Sequence, residues 1–386
     1  MAGKHRHLCL RYWPFQVVPV PELCTFIAAR EQLRSDVDNL IDGFSRRDVS
    51  SIHLFWSWYG AGKTHTLYYM AHRARQNTKA PFETVLCPVY TEFPRDARGF
   101  LDLYRSFVVG LDLDLLNEAL LEVYTSADVK RFERELSLAS PDLANALQIL
   151  LMGSAQDESI AVRWLRAEPL PIGEFRRAGL RQRITSAEET IRILATLVKV
   201  LQQSAKSSNR HSARVIWLLD EFQRIERLPT RTREEINTGL HSLFNSCPTG
   251  LSLVLSFSGH PNPQSLPSWF SPELRDRIGR TKVMVLPPLT PDEGIAFVKD
   301  VLVQARDYNT AFSDAFFPFT EESCRSIVEE VAQKEELKPR AIMQAFNAVM
   351  EEADRLIETQ EMKVVSPRFA KQVLSQYFVL RQGEEG

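Results

Sequence analysis

The chain has 386 residues, of which 44% are hydrophobic, and its formal net charge at pH 7 is −2. The hydrophobic content predicts a globular protein with a sizeable core. The small net charge excludes a global electrostatic attraction to nucleic acid. The cysteines lack the C-x-x-C spacing of a zinc site, and they do not indicate a disulfide framework. No apolar run is long enough to cross a membrane or to form a signal peptide, so we expect a cytoplasmic protein without membrane contact.

The first long predicted element is an amphipathic helix that precedes the first strand. Apolar side chains recur at helical spacing after residue 30, which predicts that one face of this helix is buried. The residues of that face are Leu33, Val37, Leu40 and Ile41.

A glycine-containing loop follows the first predicted strand. The apolar run 52–56 leads into the loop 57–64 and then into the apolar stretch 67–71, so that a strand, a loop and a helix succeed one another. Gly60 and Gly62 allow the backbone to adopt positive φ and to approach an anion, which the first amides of the helix would bind. This pattern predicts a loop that binds the phosphates of a nucleotide.

Each loop position has a chemical role in this prediction. Lys63 would supply a positive charge to the outer phosphates, and Thr64 would supply an oxygen to Mg²⁺. Ser57 stands where the G-x-x-x-x-G-K-[ST] pattern has its first glycine, which is tolerable if residue 57 stays in the β region. The predicted nucleotide-binding residues of the loop are Trp58, Tyr59, Gly60, Ala61, Gly62, Lys63, Thr64 and His65.

A long helical insertion follows the second predicted strand. That strand covers residues 82–90, and Pro88 favours a position at a sheet edge or at a strand end. Residues 97–201 have a mostly helical pattern with a polar break at 153–157, which is longer than a simple crossover requires. An arginine-dense stretch in the insertion either contacts phosphates of DNA or RNA or forms a solvated helix face. Its members are Arg176, Arg177, Arg181 and Arg183.

Two adjacent carboxylates end the next predicted strand. The apolar run 215–219 leads directly into Asp220 and Glu221, as expected for a buried central strand that carries acidic residues at its carboxyl end. Asp220 would hold Mg²⁺, and Glu221 would orient and polarise the water that attacks the γ-phosphate. A small-molecule kinase activates a substrate hydroxyl and does not need such a base beside the strand end. The pair therefore predicts hydrolysis of a nucleoside triphosphate rather than transfer of its phosphate to a second substrate.

Two further apolar runs, at 251–257 and 281–286, complete five predicted strands. Strands that alternate with helices predict an α/β fold with a parallel sheet that is covered on both faces, and with the ligand at the carboxyl ends of the strands. One polar residue after the fourth strand could position the attacking water, and the sequence does not decide which. The candidates are Ser256, Ser258 and His260, and of these Ser258 is included in the predicted catalytic site.

Three arginines precede the fifth strand. In a ring or a filament, one of them could reach the nucleotide of a neighbouring subunit and stabilise the charge of the transition state. In a monomer they would be ordinary surface charges. These residues are Arg275, Arg277 and Arg280.

A helical domain follows the fifth strand. Thr290, Pro291 and Glu293 form a capping-box pattern, and helices are predicted at 291–306, 320–334 and 340–358. The predicted domains are therefore a nucleotide-binding α/β domain over 1–287 and a helical lid over 288–386.

Lys338-Pro339-Arg340 opens the third of these lid helices. The helix dipole disfavours a cation there by a few tenths to about 1 kcal/mol. An interaction between Arg340 and a bound phosphate would offset this cost. The alternative is a surface arginine that tolerates its position.

These features together resemble an AAA+ ATPase with its helical lid, over nearly the whole chain. The opening Trp13-Pro14-Phe15 and Ala29-Arg30-Glu31 are similar to the origin-recognition-like, STAND-related clade, whose members contact adenine from this segment, and the resemblance adds Arg30 to the nucleotide-binding residues. More narrowly, residues 161–170 and 218–222 resemble ATP-binding proteins of bacterial anti-phage gene clusters such as BREX. The chain ends after the lid, and we expect no winged-helix segment like the one with which initiators grip DNA.

The resemblance implies an ATP-hydrolysing switch or motor subunit, dependent on ATP and Mg²⁺, that acts with partner proteins on DNA in bacterial defence. It implies a homo-oligomer or a complex with other proteins of a defence or mobile-element system. The alternative is an ATP-gated, DNA-associated scaffold that recruits a nuclease or a transposase and has little need for hydrolysis.

Overall fold

The structure is a computed structural model that describes residues 5–77, 84–207, 212–262, 265–278, 283–307 and 314–384. The strands are β1 Ser51–Ser57, β2 Thr84–Glu92, β3 Ser212–Asp220, β4 Leu251–Ser258 and β5 Val283–Met284. The helices are α1 Glu31–Arg46, α2 Lys63–Asn77, α3 Phe100–Gly110, α4 Leu113–Tyr124, α5 Val129–Ala139, α6 Pro141–Met152, α7 Ala155–Leu165, α8 Ile172–Arg177, α9 Ala187–Ser207, α10 Thr230–Ser246, α11 Pro272–Ile278, α12 Pro291–Ala305, α13 Glu321–Lys334, α14 Pro339–Glu358 and α15 Pro367–Glu384. Among the helices in these ranges, none is long and apolar enough to span a membrane.

The five strands form one parallel sheet in the order β2-β3-β4-β1-β5. The described side chains of β3 are buried along the whole strand, because a parallel sheet is covered by helices on both faces. β2 is an edge strand, as Pro88 indicated, since a proline lacks the N–H that a central position would use. The predicted α/β fold with a five-stranded parallel sheet is confirmed.

The fifth strand is shorter than the sequence analysis predicted. It comprises Val283 and Met284, which pair with Leu54 and Phe55 of β1. Residues 281 and 282 lie outside the described ranges, as do residues 82 and 83 of the predicted second strand. Residues 285 and 286 were predicted as strand but are not. Two prolines follow them. Proline has no backbone N–H to donate to a strand ladder, and it restricts the backbone dihedrals of the residue before it.

The chain forms two compact units. The first consists of Met1–Val37, Ser57–Tyr69 and Leu286–Gly386, and the second of Asp38–Trp56 and Met70–Val285. The first unit thus contains the predicted lid together with the opening segment and the glycine loop, which the sequence analysis assigned to the nucleotide-binding domain. The division at residue 287 stays a prediction.

The second unit contains the sheet and the helical insertion. The insertion comprises α3 to α9, and its predicted polar break separates α6 from α7, where the Ser154 hydroxyl accepts a hydrogen bond from the amide of Asp157. The indole of Trp217 on β3 packs edge-on against Phe107 of α3, with ring centroids 5.0 Å apart. The insertion therefore shares its core with the sheet.

The core of the first unit joins the lid helices to the opening segment. Phe15 packs against Phe319 and Phe346, and the predicted apolar stripe of α14 is buried. The predicted capping box of α12 is present, since Thr290 and Glu293 bond each other's backbone amides. The last helix, α15, was not predicted, although Pro367 occupies the helix-initiating position that proline favours.

Candidate functional site

The glycine loop connects β1 to α2. Ser57 is the last residue of β1, which meets the condition that residue 57 stays in the β region. Gly60 and Gly62 have φ values of 75° and 96°, which side-chain-bearing residues rarely adopt. The helix starts at Lys63, so its first unpaired amides follow directly on the two glycines. This local geometry is suited to an anion.

Gly60 is closely packed as well as conformationally unusual, which leads to a stability prediction. A Cβ on Gly60 would lie 3.0 Å from the Arg340 Cβ. We expect Gly60→Ala to destabilise the fold by about 1–2 kcal/mol, because a non-glycine residue pays for the left-handed conformation. A Cβ on Gly43, in α1, would meet no atom of the described residues within 4 Å. Because glycine inside a helix is less favourable than alanine, Gly43→Ala should stabilise the fold by about 0.5–1 kcal/mol. Urea denaturation of both variants measures the opposite signs, and equal effects would contradict the prediction.

Lys63 and Ser57 are both tied to the backbone within the first unit. Lys63 is buried, and its Nζ donates to the carbonyls of Trp58 at 2.8 Å and Ser57 at 3.2 Å. The Ser57 hydroxyl donates to the Leu286 carbonyl at 2.5 Å, which gives the serine a bond that the glycine of the usual pattern could not make. These two bonds hold the Lys63 ammonium at the loop.

Arg30 and His65 bind protein groups beside the loop. The Arg30 guanidinium donates to the carbonyls of Ala61 at 2.8 Å and Pro287 at 2.6 Å. Burial lowers the pKa of Arg30 to about 10, so it remains a cation at neutral pH. His65 Nε2 donates to the Phe26 carbonyl at 2.7 Å, and burial lowers the pKa of this imidazole. Both side chains hold the loop and the opening segment in place, and their contact with a nucleotide stays a prediction.

The N-terminus of α14 contacts the glycine loop inside the first unit. The backbone amide of Arg340 donates to the Gly60 carbonyl at 3.2 Å. The exposed Arg340 guanidinium lies 6.0 Å from the centre of the Tyr59 ring, and the Lys338 ammonium lies 5.6 Å from the Trp58 ring. Two cations therefore flank the aromatic part of the loop. The role of Arg340 as a phosphate sensor stays a prediction.

The acidic pair lies at the carboxyl end of β3, in the second unit. Asp220 is buried, and the hydroxyl of Tyr90 lies 3.4 Å from its Oδ2. Glu221 has φ 58° and ψ 30°, a left-handed conformation that costs a non-glycine residue about 1–2 kcal/mol. Its amide donates to Asp220 Oδ1 at 2.8 Å, which helps to offset that cost.

Two residues that the sequence analysis did not identify hold the Glu221 carboxylate. Gln223 Nε2 donates to Glu221 Oε2 at 2.9 Å, and the Arg224 guanidinium lies 3.6 Å from the same oxygen. Arg224 also bonds Glu92 Oε2 at 3.2 Å and the Phe93 carbonyl at 2.6 Å. The only sequence signal was that both polar residues follow Glu221 closely, between the buried Phe222 and Ile225.

The structure brings one of the three sensor candidates to this network. The Ser258 amide, at the end of β4, donates to Gln223 Oε1 at 2.9 Å. Ser256 is fully buried, and its Oγ has no hydrogen-bond partner in the described part of the chain. His260 is exposed, with its Nδ1 3.3 Å from the Pro261 carbonyl oxygen. Since β4 lies between β3 and β1 in the parallel sheet, all three strands end at the same edge.

The arginines of α11 bind groups of their own chain. Arg275 donates to the Pro267 carbonyl at 3.2 Å, and Arg277 donates to Asn245 Oδ1 at 2.8 Å. The Arg277 guanidinium also lies 5.4 Å from the centre of the Phe244 ring. Arg280 lies outside the described residues. The action of any of these arginines on a neighbouring subunit stays a prediction.

No protein-family model matches the sequence, and no curated protein matches it. Two solved structures from Aeropyrum pernix are similar in fold. The ORC1 protein in complex with DNA has 13% sequence identity and a TM-score of 0.52, over 94% of this chain and 69% of that chain. The ORC2 protein, in its ADPNP–ADP complexes, has 13% identity and a TM-score of 0.53, over 97% of this chain and 72% of that chain. The chain therefore has an α/β P-loop NTPase-like fold.

Proposed function

We propose that the chain binds ATP with Mg²⁺, hydrolyses it to ADP and phosphate, and acts as a switch or motor subunit with partner proteins on DNA. The observation that carries the proposal is the glycine loop. It has two glycines at positive φ and a lysine at the helix start. It follows a strand of a parallel sheet in which another strand ends at Asp220, with Glu221 next in the chain. A nucleotide-hydrolysing site needs both a phosphate-binding loop and such carboxylates.

Each group has a role in this proposal. The first amides of α2 and Lys63 would bind the phosphates, and the Thr64 hydroxyl and Asp220 would hold Mg²⁺. Glu221 polarises the attacking water, and Ser258 helps to position it. Within the described ranges, no group of three or more His, Cys, Asp or Glu side chains could hold a metal ion alone. A donor set of one hydroxyl, from Thr64, and one carboxylate, from Asp220, suits Mg²⁺, because this ion keeps several waters and takes few carboxylates besides the substrate phosphates.

The contact between α14 and the loop supports coupling of the lid to the nucleotide. Because the Arg340 amide binds the Gly60 carbonyl, a change in loop conformation acts directly on the first turn of α14. The guanidinium of Arg340 would pair with the γ-phosphate and lose that partner after hydrolysis. ATP binding and hydrolysis would thus move the lid.

The proposed assembly is a homo-oligomer or a complex with other proteins of a bacterial defence or mobile-element system. Its support is the resemblance of residues 161–170 and 218–222 to ATP-binding proteins of anti-phage clusters. In such an assembly Arg275 or Arg277 would act on the nucleotide of a neighbouring subunit. A coupled ATPase assay with and without duplex DNA, combined with particle size, tests the proposal. Assembly on DNA with a non-hydrolysable analogue but no turnover would favour the scaffold function instead.

An arginine-lined groove in the insertion supports contact with DNA. The groove has a volume of about 570 Å³. In the described structure, the guanidinium groups of Arg176 and Arg181 have neither a hydrogen bond nor an ion pair. Every basic residue between positions 131 and 198 is arginine, which pairs with phosphate more specifically than lysine does. The residues that line the groove are Ile172, Phe175, Arg176, Leu180, Arg181 and Arg183.

Charge reversal in this groove should weaken DNA binding. We expect Arg176→Glu with Arg181→Glu to lower the affinity by at least about tenfold and the salt slope by about two units, because roughly 0.9 counterions are released per phosphate contact. Fluorescence anisotropy over a salt series measures both. Arg131→Glu with Arg134→Glu is the matched control, since both residues are exposed on α5 of the same insertion. Equal losses of DNA affinity in the two double variants would contradict the proposal that this groove binds DNA.

A further inference from the structure

We infer that Gln223 is a positioning residue for ATP hydrolysis, because its side-chain amide connects the water-polarising carboxylate of Glu221 to the end of β4. The inference rests on the proposed hydrolysis and adds a residue that neither the glycine loop nor the acidic pair contains. It depends only on contacts inside the second unit.

The backbone alone does not determine the direction of the Glu221 side chain. Glu221 lies in the left-handed region at the point where β3 becomes a 3₁₀ helix, Phe222–Arg227. A glutamate side chain in such a turn has several accessible rotamers, and a base contributes to catalysis only when it is aligned with the attacking water. The carboxylate therefore needs support from neighbouring side chains.

Gln223 supplies that support with both ends of one amide. Its Nε2 donates to Glu221 Oε2 at 2.9 Å, and its Oε1 accepts from the Ser258 amide at 2.9 Å. Only a side chain with a donor and an acceptor at this length can make both bonds. The planar amide of Gln223 thereby limits the distance between the Glu221 carboxylate and Ser258 at the end of β4.

The surrounding charges hold the same carboxylate oxygen from another side. The Arg224 guanidinium lies 3.6 Å from Glu221 Oε2, and its bonds to Glu92 and to the Phe93 carbonyl restrict its own position. Gln223 and Arg224 thus engage one oxygen of Glu221. Among the residues that the structure describes, these contacts involve Oε2 only, so we assign the other oxygen, Oε1, as the atom that accepts the proton of the attacking water.

Two substitutions separate the two bonds of Gln223. Gln223→Leu removes both of them. Gln223→Glu keeps an acceptor for the Ser258 amide but places a second carboxylate against Glu221. We expect both variants to lower kcat by about ten- to a hundredfold, since misplacement of a catalytic group by about 1 Å can cost that much. The KM for ATP should stay within about twofold of the wild type, because Gln223 does not bind phosphate.

Hydrogen exchange of the Ser258 amide in the nucleotide-free protein gives a readout independent of activity. It should be faster in Gln223→Leu and close to wild type in Gln223→Glu. Gln202→Leu is the matched control, since Gln202 lies in the same unit and its amide bonds Thr249 Oγ1. This variant should change neither kcat nor the exchange of Ser258.

The outcomes distinguish this inference from the proposed function. Unchanged kcat in both Gln223 variants, or unchanged Ser258 exchange in Gln223→Leu, overturns the inference. A loss of kcat that comes with lost ATP binding and lost thermal stability also overturns it, because that result indicates a structural role. If the wild type and Gln202→Leu bind ATP without hydrolysing it, the proposed hydrolysis fails, while the exchange measurement still decides whether Gln223 connects the two strand ends.

Discussion

Glu221→Gln should lower the rate of ATP hydrolysis by about two to four orders of magnitude and leave ATP binding intact, because general-base catalysis contributes about 10²–10⁴. The amide of glutamine has nearly the shape of the carboxylate and can still accept the bond from Gln223, but it cannot take a proton from water. Single-turnover hydrolysis and equilibrium binding of ATP, measured on the same preparation, separate the two steps.

The control for this variant is Glu226→Gln. Glu226 is exposed in the same 3₁₀ helix, so its substitution removes the same charge without touching the network around Glu221. We expect wild-type hydrolysis from it. A Glu221→Gln protein that hydrolyses ATP as fast as the wild type would show that another group activates the water, and the role proposed for Glu221 would be wrong.

Lys63→Ala should weaken the binding of ATP by about ten- to a hundredfold, because a hydrogen bond to a charged group contributes about 1.5–3 kcal/mol. The effect should grow with the number of phosphates on the nucleotide, since Lys63 is proposed to bind the outer ones. Titration calorimetry with ATP, ADP and AMP measures this order. AMP should show the smallest difference between the variant and the wild type.

Two measurements exclude a trivial loss of structure in Lys63→Ala. Lys63 bonds the carbonyls of Ser57 and Trp58, so the variant loses these contacts, and its thermal unfolding must be compared with that of the wild type. Lys371→Ala removes an exposed lysine from α15 in the same unit and should leave ATP binding unchanged. If Lys63→Ala binds all three nucleotides like the wild type, the loop does not hold the outer phosphates.

The fold class and the local elements of the candidate site could be predicted because their signals lie within short stretches of chain. The glycines at 60 and 62 permit the positive φ values that the loop shows. The Thr290–Glu293 pattern produced a capping box, and the helical spacing of apolar residues placed α14 within one residue of its observed start. Each of these signals depends on the steric limits of the backbone, on a short capping pattern, or on the periodic spacing of apolar residues in one helix.

The partners of the site residues could not be predicted in the same way. The sequence gives no spacing rule that joins Gln223 to the Ser258 amide, because this bond depends on the placement of β4 beside β3. The bonds of Arg30 to Ala61 and Pro287 likewise connect segments that are far apart in the chain. Such contacts form only after the strands and helices have packed.

The amino-acid order by itself thus determined where strands, loop and helices occur and which residue types end them, since propensity, glycine and proline geometry and periodicity act locally. Only the tertiary structure decided the strand order β2-β3-β4-β1-β5, the two residues of β5, and which side chains support Glu221. The physical reason is that strand pairing and side-chain contacts depend on the packing of distant segments, which no local pattern specifies.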